Sequence, residues 1–109
     1  MSALSHLTRT LNDVFRQTFV GGRVVLTQGV EAFAPTIKNR VLTEVRFFKD
    51  FDTDNDPHGE HDFGAFTVGQ YDLFWKIDYY NKTMDGGSED PSNSRITMRV
   101  LTIMLREEY

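Results

Sequence analysis

Between Asp50 and Asp62 the chain carries six carboxylates and two histidines, with no lysine or arginine. Asp52, Asp54, Asp56, His58, Glu60 and Asp62 alternate along it, as oxygen ligands do in calcium-binding loops. The EF-hand template fails on two positions. Counted from Asp52, acids stand at positions one, three and five, but position six is Pro57 and position twelve is Phe63. Proline holds φ near −65° and cannot make the turn that glycine makes there, and the closing bidentate glutamate is missing. An irregular divalent-cation site on Asp52, Asp54, Asp56, His58 and Glu60 stays open. His58 and His61 do not have a zinc spacing, and the only other histidine is His6. A second arrangement uses Glu60, His61, Asp62 and Asp78 to hold a cation that activates water, or His61 as an acid–base group oriented by Asp62 or Asp78. On an extended segment His61 shares a face with Phe63 and Asp62 shares one with Gly64, leaving Asp78 or Lys76 as a cross-strand partner for Asp62.

The bland alternative is architectural. Asp and Asn side chains in loops bond their own backbone, and Pro-His-Gly sets a turn. Asp62 or Asp78 would then pair with Lys76, Arg95 or Arg99.

Charge offers a third reading. Residues 1–49 carry seven Lys/Arg against three Asp/Glu, whereas residues 50–109 carry five against thirteen. Phosphates repel such a surface, so direct nucleic-acid binding is not expected. A basic protein partner is, with Asp50, Asp52, Asp54, Asp56, Tyr80, Asp85, Glu89 and Asp90 as the surface it meets.

These residues need a scaffold. Leu4, Leu7, Leu11, Val14, Phe15, Thr18 and Phe19 recur at helical spacing, so an amphipathic helix fills the first twenty residues. Ser2 or Ser5 would cap it and Gly21–Gly22 would end it. Such a stripe packs on a sheet or is offered to a partner. Arg23–Thr27 reads as a strand. Residues 36–48 fit both periods; the expectation is a helix opening near Thr36, after Pro35, and a strand from Glu44 to Phe51. Phe63–Val68 and Tyr71–Tyr80 flank Gly69–Gln70 as a tight hairpin. Tyr71, Leu73, Trp75, Ile77 and Tyr79 share one face of its second strand, and Phe74, Lys76, Asp78 and Tyr80 share the other. Lys82–Ser94 is a surface loop, and Ile96–Leu105 an interior strand covered on both faces. The expected fold is α+β: one domain over residues 1–109, an N-terminal amphipathic helix packed on a mainly antiparallel sheet of about five strands, with a long acidic loop.

Other chemistry is excluded by template. There is no cysteine, hence no disulfide, thiol nucleophile or cysteine zinc site, and a reducing cytoplasm fits. No signal peptide and no membrane-length apolar run is visible, so no membrane partner is expected. No phosphate-binding glycine loop and no G-x-S-x-G turn occurs.

Asn55-Asp56-Pro57-His58-Gly59-Glu60-His61-Asp62-Phe63-Gly64, Trp75-Lys76-Ile77-Asp78-Tyr79-Tyr80, Ser88 with Asp90-Pro91, and Arg99-Val100-Leu101-Thr102-Ile103-Met104-Leu105 together resemble the signature blocks of the bacterial domain-of-unknown-function 3768 family. The resemblance runs from about Gly22 to Tyr109 and leaves the first twenty residues without a motif. It implies a small stand-alone bacterial protein, often of plasmids and other mobile elements, and carries no cofactor, activity or partner. The function expected is a non-enzymatic accessory protein that binds a basic partner through its acidic surface, with anti-defence mimicry of nucleic acid as the suggested form. The alternative is a small divalent-metal-dependent hydrolase built on Glu60, His61, Asp62 and Asp78. No cofactor is expected under the first reading and a divalent cation under the second. An open sheet edge leaves homodimerisation open.

Overall fold

The structure, a computed structural model, describes residues 3–109. Helix α1 spans Ala3–Thr18, strand β1 Gly22–Leu26, the single turn α2 Gln28–Glu31, and helix α3 Pro35–Arg46. Strands β2 (Phe63–Val68), β3 (Tyr71–Tyr80) and β4 (Met98–Leu105) follow, then a 3-10 turn over Arg106–Glu108. The strands form one four-stranded sheet in the order β1-β4-β3-β2. β1 runs parallel to β4; the other two pairings are antiparallel.

The fold is α+β with a mainly antiparallel sheet, as expected, but with four strands. Residues 44–51 are not a strand. Pro35 opens α3 at its first position, where a missing N–H costs nothing. Its buried residues Val41 and Val45 continue to Phe48, while Phe47 is 68% exposed. A strand would have buried Phe47 with Val45, so the 3.6-residue period prevails over the two-residue one. The hairpin forms as read, with Val68 opposite Tyr71 and Gly69 supplying the positive φ of +59°.

All three helices lie on one face of the sheet. Phe15, Val30, Val41, Val45 and Phe48 pack there on Leu73, Trp75, Ile77, Leu101 and Ile103 in one core cluster. β4 is interior and largely buried on both faces, as expected: Leu101 and Ile103 lie on the helix side, and on the second face, which no described α-helix covers, Val100 and Met104 are buried too. Phe63, Phe74 and Tyr109 pack tilted and edge-on there.

Helix α1 departs most from expectation. Of the apolar stripe, Phe15 is buried, while Leu4, Leu7 and Val14 are 58%, 50% and 53% exposed. The helix instead buries Thr8, Asn12, Phe15 and Arg16. Ser5 lies inside the helix and does not cap it; Ser2 lies outside the described residues. The chain reverses at Phe19, whose φ is +59°, rather than at Gly21–Gly22. Gly22 is needed for close approach: a Cβ there would stand 2.8 Å from Phe15 Cζ.

Candidate functional site

Strand directions decide where the loops gather. The starts of β1, β2 and β4 and the end of β3 lie at one end of the sheet. Both the 47–62 loop and the 81–97 loop therefore emerge there, beside the C-terminal half of α1.

The first loop is held by its own carboxylates. Asp52 Oδ1 accepts the N–H groups of Asp54 and Asn55, both at 2.9 Å, and the Asn55 amide reaches the Asp50 carbonyl. Asp56 is 8% exposed. Its Oδ1 collects the N–H groups of Glu60 and His61, both at 3.1 Å. Asp56 is thus turned inward and does not belong to the exposed acidic surface assigned to it. That closure holds His61 at φ +55°, a left-handed conformation in which non-glycine residues are uncommon. The imidazole stacks on Phe51 at 3.8 Å and 5°. Its Nδ1 is 2.8 Å from Asp13 Oδ1, and its Nε2 is 3.6 Å from Asp56 Oδ2.

Asp13 also pairs with Arg16 at 3.0 Å. Arg16 is 2% exposed, with its guanidinium between the rings of Phe51 and Trp75 and donating to the Phe48 carbonyl. One turn back, fully buried Asn12 joins three elements. Its Nδ2 donates to the Glu60 carbonyl at 3.0 Å and to Tyr79 Oη at 2.8 Å. Its Oδ1 accepts from Arg99 Nε at 2.7 Å. The Tyr79 hydroxyl donates onward to Asp62 Oδ2 at 3.3 Å. Arg99, 3% exposed, lies over the Tyr79 ring and also donates to the Pro91 carbonyl. One line of donors runs from Arg99 Nε through Asn12 and Tyr79 to Asp62. Such aligned bonds polarise one another and favour the negative end.

Burial first, then the nearby Asp56 carboxylate, pushes Asp62 above the usual carboxylate range. Burial and Asp62 push Glu60 up likewise. Burial, reinforced by Asp62, raises the Tyr79 phenol, so it stays a donor. Among the described residues no lysine or arginine forms an ion pair with Glu60 or Asp62. An ionised Asp62 is therefore a cost to folding at neutral pH. Because its folded pKa is raised, the folded chain takes up the proton first, and the cost disappears as pH falls through that pKa. Asp62→Asn, which keeps an acceptor for Tyr79, should raise the melting temperature at pH 7.5 by roughly 2 °C, a small gain because the carboxylate is only part-buried and solvent screens much of its cost. The gain over wild type should shrink as pH drops into the ordinary carboxylate range. A variant less stable than wild type at pH 7.5 would show that the charge supports the fold instead.

Asp78 stands apart. Register places Asp62 on the inner face, next to Tyr79, and Asp78 on the outer face, where Lys76 Nζ binds it at 2.8 Å. The expected cross-strand meeting of Asp62 with Asp78 or Lys76 is replaced by Asp62 with Tyr79. Glu60, His61, Asp62 and Asp78 do not converge, and among the described residues no three His, Cys, Asp or Glu side chains are arranged to hold a metal ion. Asp54 and His58 point to solvent. Asp85 is exposed and held by Asn81 and Thr83, whose hydrogen bonds lower its pKa. Glu89 is exposed, Asp90 binds Ser92, and Tyr80 lies on the outer face opposite Met98.

The α1 side of the site, Asn12, Asp13 and Arg16, was not visible as a site in the sequence. The one available signal was a polar pair four residues apart, Asn12 and Arg16, flanking Phe15 on a helix.

The family described as protein of unknown function (DUF3768) matches residues 26–108. This chain belongs to the DUF3768 family. The match covers every strand but most of β1, and both loops of the acidic end; α1 lies outside it. No curated protein and no solved structure matches the chain. Among the described residues no helix is long and apolar enough to cross a membrane.

Proposed function

We propose that this DUF3768 protein acts without catalysis, binding a basic protein partner through the acidic end of its sheet. One observation carries the reading: strand direction gathers Asp50, Asp52, Asp54, Glu60 and Asp62 with Asp85, Glu89 and Asp90 at one end, and among the described residues no Lys or Arg forms an ion pair with any of them. The same two loops carry exposed Lys49, Lys82 and Arg95, so the end bears an excess of negative charge, and such an excess raises the rate of encounter with an oppositely charged surface. The hydrogen-bonded frame of Asp52, Asp56 and Asn12 supports this by holding the loops in one shape, which lowers the ordering cost of binding. The mobile-element setting implied by the resemblance suggests the partner class: a host-defence protein whose surface is built for nucleic acid.

The test is capture from a bacterial host lysate on immobilised protein, with a triple variant Asp50→Asn, Asp52→Asn, Asp54→Asn as comparison. The amide at 52 keeps the acceptor that closes the loop. A basic protein retained at about 50 mM salt should be lost at about 300 mM salt, because exposed charge pairs are screened over a Debye length. The variant should retain it at least ~10-fold less well, a change of about 1.4 kcal/mol. Equal capture by the variant would remove the proposal.

A further inference from the structure

The residues that α1 leaves outside follow a strict pattern. Leu4, Leu7, Leu11 and Val14 are spaced three, four and three apart, the a/d seam of a coiled coil. Three of them are at least half exposed, while the polar face of the same helix is buried. An apolar ridge of this kind on a helix that already has its own core contacts calls for an occupant from another chain.

We infer that the occupant is α1 of a second copy, packed antiparallel about a two-fold axis that crosses the seam between Leu7 and Leu11, at the height of Arg9 but on the side of the helix away from it. Four observations select this arrangement. First, a three-four-three spacing reads the same in both directions, so one register sets Leu4 against Val14 and Leu7 against Leu11 of the second copy, and all four ridge positions are filled at once. Second, a groove of about 170 Å³ opens beside Thr10, Leu11, Val14 and Val20. Val20 is 72% exposed on its rim. In this register Leu4 of the second copy enters that groove as a knob enters a hole. Third, the residues flanking the seam on its open side are Ala3, Thr10 and Gln17, none charged, so identical copies meet without repulsion. Fourth, α1 runs toward the acidic end of the sheet. A parallel pair would set two acidic ends side by side, whereas the antiparallel pair sends them to opposite ends and also opposes the helix dipoles favourably.

Helix α1 has 16 residues and is about 24 Å long. The contact therefore buries roughly 900 Å² in total, below a standard stable interface, and the dimer is a weak one, with Kd on the order of micromolar. The two acidic ends then face away from each other, so one dimer presents two copies of the proposed partner surface. The interface itself does not depend on that proposal.

Sedimentation velocity on the full chain, from about 5 µM to about 500 µM, reads the monomer–dimer equilibrium directly. Wild type should shift from monomer to dimer. Leu7→Lys should stay monomeric with unchanged melting temperature, its side chain being half exposed; Leu7→Gln should weaken the dimer at least ~10-fold if lysine disturbs the helix. The chain has no cysteine, so single cysteines report the register. Thr10→Cys, next to the axis, should oxidise to a covalent dimer. Leu4→Cys should not, because its two copies lie about 15 Å apart along the pair, beyond disulfide reach. Any of three results overturns the inference: wild type monomeric throughout, including a monomer that instead sediments with phosphatidylcholine vesicles; a dimer undisturbed by both position-7 variants; or crosslinking at position 4 in preference to position 10, which is the parallel pairing.

Discussion

Replacing Gly64 by alanine is expected to remove about 3 kcal/mol of stability, lowering the melting temperature by at least ~10 °C. Gly64 faces inward on β2, directly opposite Trp75. An ideal Cβ there would overlap Trp75 Nε1 and stand 2.7 Å from Trp75 Cε2 and 2.8 Å from Phe48 Cζ. Neither ring has a free path away. Trp75 is fully buried, with the Arg16 guanidinium near its ring. Phe48 packs edge-on to Trp75 at 5.6 Å and to Phe51 at 5.0 Å. Phe51 in turn stacks on His61, so a displaced Phe48 moves the acidic loop as well as the core. Thermal unfolding measures the first effect. The emission of Trp75, the only tryptophan, measures the second and should shift red as its environment opens. A melting temperature within ~2 °C of wild type would show that the two rings have room to yield.

Asn12→Ala should cost about 3–5 kcal/mol, measured as a fall in the urea midpoint. The truncation leaves Arg99 Nε without its acceptor and the Glu60 carbonyl and Tyr79 hydroxyl without their donor. Arg99 sits where water is excluded and the other two groups are part-buried, so the loss is dominated by desolvation of the guanidinium rather than by the net worth of each bond. The buried Arg99 charge makes the largest part. Replacing both partners tests this: Arg99→Met together with Asn12→Ala should be less destabilised than the sum of the single variants by about 2 kcal/mol, because the second change removes the stranded charge. Additive losses would mean that Asn12 and Arg99 are not coupled. If the network exists to hold Glu60 and Asp62 in place, the Asn12 variant should also lose partner capture, whereas the Asp50, Asp52, Asp54 variant should lose capture with an unchanged urea midpoint.

Much of the scaffold was legible locally. The hairpin about Gly69–Gln70, the inward face of β3, the interior position of β4 and the loop at 52–61 follow from period-two alternation and turn chemistry, which act over a few residues. The region 36–51 was ambiguous because Val41 and Val45 satisfy both periods, Phe48 completing the helical one and Phe47 the two-residue one; only packing of Val41, Val45 and Phe48 on the sheet resolves it as helix and loop. The charge imbalance between the two halves was likewise a matter of counting.

Two things were settled only by the tertiary fold. Pattern alone offered Asp78 as a partner for Asp62; register put the two on opposite faces and supplied Tyr79. Pattern also gave α1 one apolar stripe and no reason to prefer its polar side. Burial of Asn12 and Arg16 is favourable only because the Glu60 carbonyl, Tyr79, Arg99 and the Phe48 carbonyl are already positioned to satisfy them, and those groups come from segments 32 to 87 residues away. The cost of burying a polar side chain is set by partners that local sequence does not contain, so which face of α1 turned inward, and which apolar ridge was left to solvent, was decided by the assembled sheet.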